Sequence, residues 1–449
     1  MKHDINIATA PGALPFLGHF IPLLRSPLDF LRSLSASGGM VHIRLGPVRV
    51  IMACDPGIVR QVLRDDRTFD KGGFLFERAT EIAGHGLITC PHALHRRQRR
   101  MCQPAFTSAR LPTYTPAMST HARAAATAWR DGQSIDVPAE MMTIAARSLT
   151  GTMFSGELPP NALQHMLEDV DVIIEGMFRR VITPTMLTRI PLPSHRRYEY
   201  ALARLRRTLD DVIVGRRSEA ADHGDLISRL LAATSDQTGQ PLSDKEITDQ
   251  AITFFIAGVE TTASTLSWAL HLVAHDPNIM LRLQAEAEAA LGGAPATHAD
   301  LPSLPLTARV ITETLRLYPP TWFLTRVTTA DTMLDSTIIP SGTTIAFSPY
   351  LLHHNPDLYP DPERFDPDRW LAEGARVISR DSYIPFGAGA RKCIGDQFAL
   401  NEAVITLATL TQHWRLWPHP DQRVRAAVGG TIRPRALYLR LQATNLPLK

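Results

Sequence analysis

The sequence predicts a mainly α-helical protein with a small β region, on three observations. Residues 115–235 read as successive amphipathic helices, broken at Pro138, Pro159, Pro160, Pro184, Pro191 and Pro193. Ser243-Asp-Lys-Glu246 is an S-x-x-E capping box ahead of an apolar run, so one long helix opens at Asp244 and continues to about His275, where Asp276-Pro277 stops it. Strand-like alternation is short and local, clearest from Val41 to Met52 around Gly46-Pro47.

Length and composition set the outer bounds. A chain of 449 residues has room for about three ordinary domains, yet no Gly/Ser linker, acidic run or repeat divides it. With 44% apolar and 20% charged residues it reads as globular with ample core. A net charge of +3, with no interleaving of arginines and aromatics, gives no argument for nucleic acid. Cys54, Cys90, Cys102 and Cys393 form no CxxC pair and no zinc pattern, which suits a reducing, cytoplasmic setting. Met1 to Ala10 is short and polar, with no membrane anchor in it.

Taken in order, Pro11 to His19 is a proline-glycine lead-in, and Asp55-Pro56 starts a short helix to about Leu63. Lys71 to Cys90, rich in glycine and large apolar groups, reads as an irregular loop: a substrate lid or a surface loop with buried anchors. In His92-Ala-Leu-His95-Arg96-Arg97-Gln98-Arg99-Arg100, His95 and Arg99 share one helical face. Charge runs of this kind are usually solvated faces.

The long helix would span roughly 48 Å at its ordinary rise. It is no membrane span, because Asp249 and Glu260 interrupt it. Its centre, Ala257-Gly258-Val-Glu260-Thr261-Thr262, is poorly suited to a helix interior. A glycine admits a close neighbour, a threonine hydroxyl can bond back to a carbonyl and loosen the ladder, and an acid can carry protons. A helix packed tightly on another helix would show the same residues. Farther on, Glu313 and Arg316 share a face ahead of Pro319-Pro320, among apolar neighbours that favour a buried pair in need of further partners.

The chemically richest stretch runs from Tyr383 to Asp396. Gly387, Gly389 and Gly395 fall within nine residues and frame Cys393, and an apolar helix-like run follows from about Gln397 to Trp414. A thiol just ahead of a helix start meets unpaired N–H groups and the positive end of the helix dipole, which favour a thiolate. A lone cysteine is more often a small buried hydrophobe. The glycine frame adds a pattern, F-x-x-G-x-R-x-C-x-G, through Phe386, Gly389, Arg391, Cys393 and Gly395.

That pattern resembles the haem-binding loop of the cytochrome P450 family. Ala257 to Thr262 is similar to its A-G-x-[DE]-T-T oxygen-binding motif, with Glu260 for the commoner Asp. Glu313 and Arg316, with Pro362-Glu-Arg364-Phe365, resemble its E-x-x-R and P-E-R-F elements. The resemblance implies one prism-shaped domain over residues 1–449, with the long helix over the haem. It implies that Cys393 ligates haem iron, with Phe386, Arg391 and Gly395 around the same cofactor, and that His95, Arg99 and Arg326 bind propionates. Ala257 and Gly258 would border the haem, Thr261 would hydrogen-bond and help protonate bound dioxygen, and Glu260 would relay protons. Glu313, Arg316 and Arg364 would form a structural triad, and His353 would lie on the haem side.

The implied reaction is haem-thiolate monooxygenation: haem b, O2 as co-substrate, and electrons from NAD(P)H through separate redox proteins. A ferredoxin and its reductase would dock near Arg96, Arg97, Arg100 and Lys392, on a monomeric enzyme. Phe74, Phe76, Met177, Phe178, Phe254, Trp322, Phe323 and Ile432 would line an apolar substrate pocket, and residues 181–190 would belong to its covering segment. The sequence also resembles pentalenene-oxygenase-like terpene hydroxylases, so a terpenoid of secondary metabolism is the expected hydrophobic substrate. A macrolide, steroid or fatty acid is the alternative. A peroxide-using or isomerising haem-thiolate enzyme, and a non-catalytic haem sensor, are the competing activities.

Overall fold

The computed structural model describes residues 7–444 except 156–157, 159–160, 184–191, 220, 236–238, 372–373, 375–377 and 380. Strands β1 (Met40–Leu45) and β2 (Val48–Ala53) form the hairpin that the alternation predicts, with Leu45 opposite Val48. Helix α1 (Pro56–Arg64) follows, its first N–H groups at Gly57 and Ile58 donating to the Asp55 carboxylate. After strand β3 (Phe69–Asp70) comes helix α2 (Phe74–Ala83), inside the stretch expected to be irregular. Its flanking glycines are the reason: Gly73 (φ 80°) and Gly84 (φ 54°) adopt left-handed backbone and punctuate the two ends of the helix.

Helix α3 (His92–Cys102) carries the basic run; α4 (Leu111–Ala128), α5 (Val137–Phe154), α6 (Ala162–Ile182) and α7 (Pro193–Glu219), with a short helix over Leu226–Ala232, account for the amphipathic region, with strand β4 (Ser134–Asp136) before α5. Pro138 and Pro193 open helices rather than separate them, since a first turn has no use for the missing N–H. Pro159, Pro160, Pro184 and Pro191, and most of the covering segment over 181–190, lie outside the described residues.

Helix α8 (Asp244–Ala274) is the long helix, and both halves of its capping box form between Ser243 and Glu246. Its 31 residues extend roughly 46 Å. Apolar on nearly every face, it is buried rather than amphipathic, packed against α5 and α7 and, on other sides, against α10 (Pro305–Leu317) and α11 (Asp396–His413). Phe255, Leu266 and Leu270 are fully enclosed, each burial contributing about 1.5–3 kcal/mol. Helix α9 (Pro277–Leu291) follows α8. Among the described residues no helix is long and apolar enough to cross a membrane.

The β region is small, as read. β5 (Leu324–Thr328) and β6 (Thr344–Phe347) complete a five-stranded sheet in the order β1-β2-β6-β5-β3, where only β2 and β6 are parallel. This sheet carries a second core, containing Val50, Ile51, Met52, Ile345 and Phe347. Near the C-terminus, β7 (Trp414–Pro418) pairs with β10 (Tyr438–Ala443), and β8 (Arg425–Val428) pairs with β9 (Ile432–Arg435) in a hairpin that reaches α8.

Candidate active site

The glycine loop meets the demands placed on it. The Cys393 N–H donates to the Phe386 carbonyl at 2.9 Å and closes the loop, while Gly387 (φ 66°) and Gly389 (φ 68°) take left-handed backbone. Gly389 lies against the end of α1, where a β-carbon would come within 2.0 Å of the Leu63 carbonyl oxygen. Gly395 caps α11, so Cys393 immediately precedes a helix N-terminus. Its thiol faces a cavity between this loop and α8. Enclosure by protein raises the thiol pKa, and the Gly395 N–H, Arg99 and Lys392 oppose that effect. The donors inferred from the sequence are present, but burial outweighs them; a metal cation held by the sulfur would favour the thiolate.

Ala257, Gly258, Thr261, Thr262 and Thr265 of α8 line the opposite wall. The Thr261 hydroxyl donates to the Ala257 carbonyl at 2.6 Å, the back-bond foreseen for a threonine here. Gly258 borders the cavity, but what its missing side chain admits is α5: a β-carbon would lie 2.9 Å from Leu149 Cδ2. Phe254 also lines the cavity and meets Phe106 edge-on, with ring centroids 5.2 Å apart.

One flank of the cavity is strongly cationic. Lys71, His95, Arg99, Arg326 and Arg391 all line it. Arg391 is 1% exposed and largely committed: it pairs with Asp66 at 3.1 Å and Asp70 at 2.9 Å and donates to the Cys90 carbonyl at 2.8 Å. The others lack full compensation. Burial, then Arg391 and Lys71, pull the His95 pKa down to about 3, against the pull of Asp66. Burial and Arg391 bring Arg326 down to about 10, and burial with the charges of Arg326 and Arg391 lowers Lys71 well below an ordinary lysine. Bases that depress one another in a buried space are relieved by a bound anion. Lys71 was not picked out from the sequence, where it sits alone beside Gly72-Gly73.

These features fit haem: a flat apolar group with two carboxylates at one edge and a central metal that accepts a thiolate. Cys393 faces the cavity for the metal, the cationic flank suits the carboxylates, and the walls are otherwise mostly apolar.

Other expected residues fall elsewhere. Glu260 directly precedes Thr261 on the helix but does not line the cavity; its Oε1 accepts from the Thr431 hydroxyl at 2.8 Å. Of the eight expected substrate residues, only Phe254 lines the cavity. Ile432 and Trp322 are buried in the second core, with Phe74 and Phe323 packed against it. Phe76 is buried with the Lys71 ammonium 5.1 Å and the Arg326 guanidinium 5.7 Å from its ring centroid, a support for the cationic flank. Met177 and Phe178 are half-buried on α6 outside the cavity wall. Apolar type cannot tell these surroundings apart.

The scaffold also needs correction. Glu313 and Arg316 form the buried pair, at 2.8 and 2.9 Å. Arg364, however, is exposed, and it is its backbone carbonyl that accepts from Arg316. Arg369 supplies the third side chain, 3.5 Å from Glu313 Oε1, because the short 3-10 turn Pro367–Trp370 swings toward Glu313 and also brings Trp370 Nε1 to Glu313 Oε2 at 2.8 Å. His353 is fully buried away from the cavity: its Nε2 accepts from the Ile384 N–H at 3.0 Å and burial keeps it neutral.

Comparison with known proteins agrees with this geometry. A cytochrome P450 family model matches residues 9–436. Pentalenene oxygenase of Streptomyces avermitilis is 44% identical over 98% of both chains. Cyclooctat-9-en-7-ol 5-monooxygenase of Streptomyces melanosporofaciens is 45% identical over 92% of this chain and 90% of its own. The crystal structure of the cytochrome P450DA heme domain superposes with a TM-score of 0.89 at 26% identity, over the whole of both chains. Matches of this extent include the helical core and the cysteine loop alike, and the chain therefore belongs to the cytochrome P450 family of haem-dependent monooxygenases.

Proposed function

We propose that this chain hydroxylates a terpenoid, with Cys393 holding the haem iron and a ferredoxin with its reductase delivering electrons from NAD(P)H. The observation that carries the reading is one cavity that holds Cys393 on one wall, Thr261 on the other and a set of incompletely compensated basic groups along one flank. Haem, when bound, supplies the oxygen-activating chemistry. The chain's own residues position and protect it. His95, Arg99, Arg326 and Lys71 bind the propionates, and their mutual repulsion makes that binding favourable. Phe254, Leu149 and Leu324 give the site an apolar lining that excludes bulk water. Thr261, its hydroxyl proton committed to the Ala257 carbonyl, presents an acceptor oxygen that orients a proton donor in the cavity, and Glu260, one residue earlier, supplies protons from outside.

The substrate class rests on the relatives, whose names specify pentalenene and cyclooctat-9-en-7-ol. The apolar walls suit such skeletons, although hydrophobic pockets discriminate only modestly among them. For the electron donor, exposed Arg96 and Arg100 on α3 offer a positive face to an acidic partner. Arg97 and Lys392, expected on the same face, are already paired with Glu246 and Asp396.

Reconstitution with a ferredoxin, its reductase and NAD(P)H on a panel of cyclic terpenes tests this. Hydroxylated product and a substrate-induced haem spin-state shift are expected. No turnover on terpenes, with turnover of a macrolide, steroid or fatty acid, overturns the substrate class. Equal product with peroxide alone overturns the redox partner. Retention of the red-shifted Soret band of the reduced CO complex in Cys393→Ser overturns the ligand.

A further inference from the structure

The β8–β9 hairpin is fastened to its surroundings by four side-chain hydrogen bonds. Three go to its backbone: Ser264 Oγ and Trp268 Nε1 of α8 donate to the Ile432 carbonyl at 2.6 and 3.0 Å, and Trp322 Nε1 donates to the Gly429 carbonyl at 2.9 Å. The fourth runs from the hairpin's own side chain, with Thr431 Oγ1 donating to Glu260 Oε1 at 2.8 Å. The first three hold the hairpin in place without help from the Thr431 hydroxyl. The thing Thr431 holds is Glu260.

Where it holds Glu260 matters. Consecutive helical residues point about 100° apart, so a helix that turns Thr261 into the cavity turns Glu260 out of it. Glu260 is 7% exposed, and its carboxyl sits beneath the hairpin, toward α6. Gly430 packs closely over this region: a β-carbon there would lie 3.2 Å from Ile174 and 3.8 Å from Met177 of α6, and 3.9 Å from Glu260 Oε2. The charged groups bearing on Glu260 are Arg433 of β9 and Asp171 of α6. These two lie 3.8 Å apart, with side chains 40% and 61% exposed, and so meet water.

We propose that Thr431 is the positioning residue of the proton relay, clasping the Glu260 carboxyl between the water-facing Asp171–Arg433 pair and the cavity, and releasing it to turn toward Thr261. The inference rests on the assignment of Glu260 as the relay. The step is a proton transfer alone: Glu260 gives up a proton on the cavity side and regains one from water at the Asp171–Arg433 pair, so no further reactant is needed. Gly430, without a side chain, lets the hairpin lie this close to Glu260, and the three backbone bonds keep the hairpin fixed while the carboxyl turns.

The test compares Thr431→Val, Thr431→Ser and Glu260→Gln, each as haem-loaded enzyme with redox partners. The Glu260 carboxyl is followed by infrared titration, its band identified by loss in Glu260→Gln. Thr431→Val removes a donor that favours the ionised form, so the titration midpoint is expected to rise by about one pH unit. Product formed per NAD(P)H consumed is expected to fall about tenfold, with an enlarged solvent isotope effect and unchanged haem content. Thr431→Ser restores all three, and Thr431→Val in a Glu260→Gln background adds nothing further. An unmoved midpoint and unmoved coupling in Thr431→Val overturn the proposal, as does failure of Thr431→Ser to restore them. Should Thr431→Val misfold, Thr431→Ala carries the same comparison. Full coupling in Glu260→Gln would instead overturn the relay assignment itself, whatever Thr431 does.

Discussion

The α-carbon of Gly389 packs on the Leu63 carbonyl so closely that a β-carbon would fall 2.0 Å from its oxygen. The contact ties the cysteine loop to the end of α1, and no side-chain rotation can relieve it because the opposing atom is backbone. The left-handed backbone of Gly389 (φ 68°) adds about 1–2 kcal/mol for any other residue. Gly389→Ala is therefore expected to displace the loop, with haem occupancy of the purified protein reduced several-fold at wild-type expression conditions. Full haem occupancy with an unshifted Soret band would show that the loop gives way without moving Cys393.

Glu313 makes a bidentate bond to Arg316 and lies within reach of Arg369, and all three side chains are buried or nearly so. Arg369→Ala removes one partner from a buried carboxylate and is expected to lower stability by about 1–3 kcal/mol in denaturant melts. Arg364→Ala changes only an exposed side chain, since its contribution is a backbone carbonyl, and is expected to stay within about 0.5 kcal/mol of wild type. The reverse order of the two would restore Arg364 to the triad.

That exchange of arginines shows what was legible in the sequence. Features governed by local backbone chemistry read correctly: the capping box at Ser243 and Glu246, the Gly46-Pro47 hairpin and the glycine frame of Cys393. Helix α2 was missed because the same glycines that end a helix also mark a loop. Features that depend on which way a segment faces did not read. Arg364 and Arg369 sit five residues apart, and only the turn between them decides which side chain meets Glu313. Phe76 and Ile432 are apolar like any pocket residue, yet one supports the cationic flank and the other fills a core. Lys71 carries no spacing partner, and only the fold brings it beside Arg326 and His95.

Glu402 of α11 was also silent in the sequence, lying inside an apolar helical run. It is buried, and burial pushes its pKa up to about 8 from an ordinary 4.5, against the hydroxyls of Ser148 and Thr262 beside it. Below about pH 4.5 the group is neutral folded or unfolded. Above that the unfolded chain ionises while the folded chain keeps its proton, so stability falls as pH rises toward 8. At about 1.4 kcal/mol for each pH unit, the loss reaches a few kcal/mol. Glu402→Gln is expected to remove this slope, gaining thermal stability over wild type progressively from pH 4.5 to pH 8. Parallel melting profiles for the two proteins across that window would refute the neutral, buried acid.

Thr261 donates to Ala257 within α8 and lines the cavity, so its hydroxyl has two uses, which stability and coupling report separately. Thr261→Ala removes the back-bond and replaces a poor helix former with the best one, so α8 is expected to hold or gain stability by a few tenths of a kcal/mol. Haem content and the reduced CO spectrum should be unchanged, because neither depends on this hydroxyl. On the proposed relay, proton supply to the cavity does depend on it. Product per NAD(P)H is therefore expected to fall by about tenfold or more, with the missing reductant recovered as hydrogen peroxide. Thr261→Ser keeps the hydroxyl and should restore most of the coupling. Undiminished coupling in Thr261→Ala, at normal haem loading, would leave the hydroxyl as a feature of helix geometry alone and move the proton route to another residue of the cavity wall.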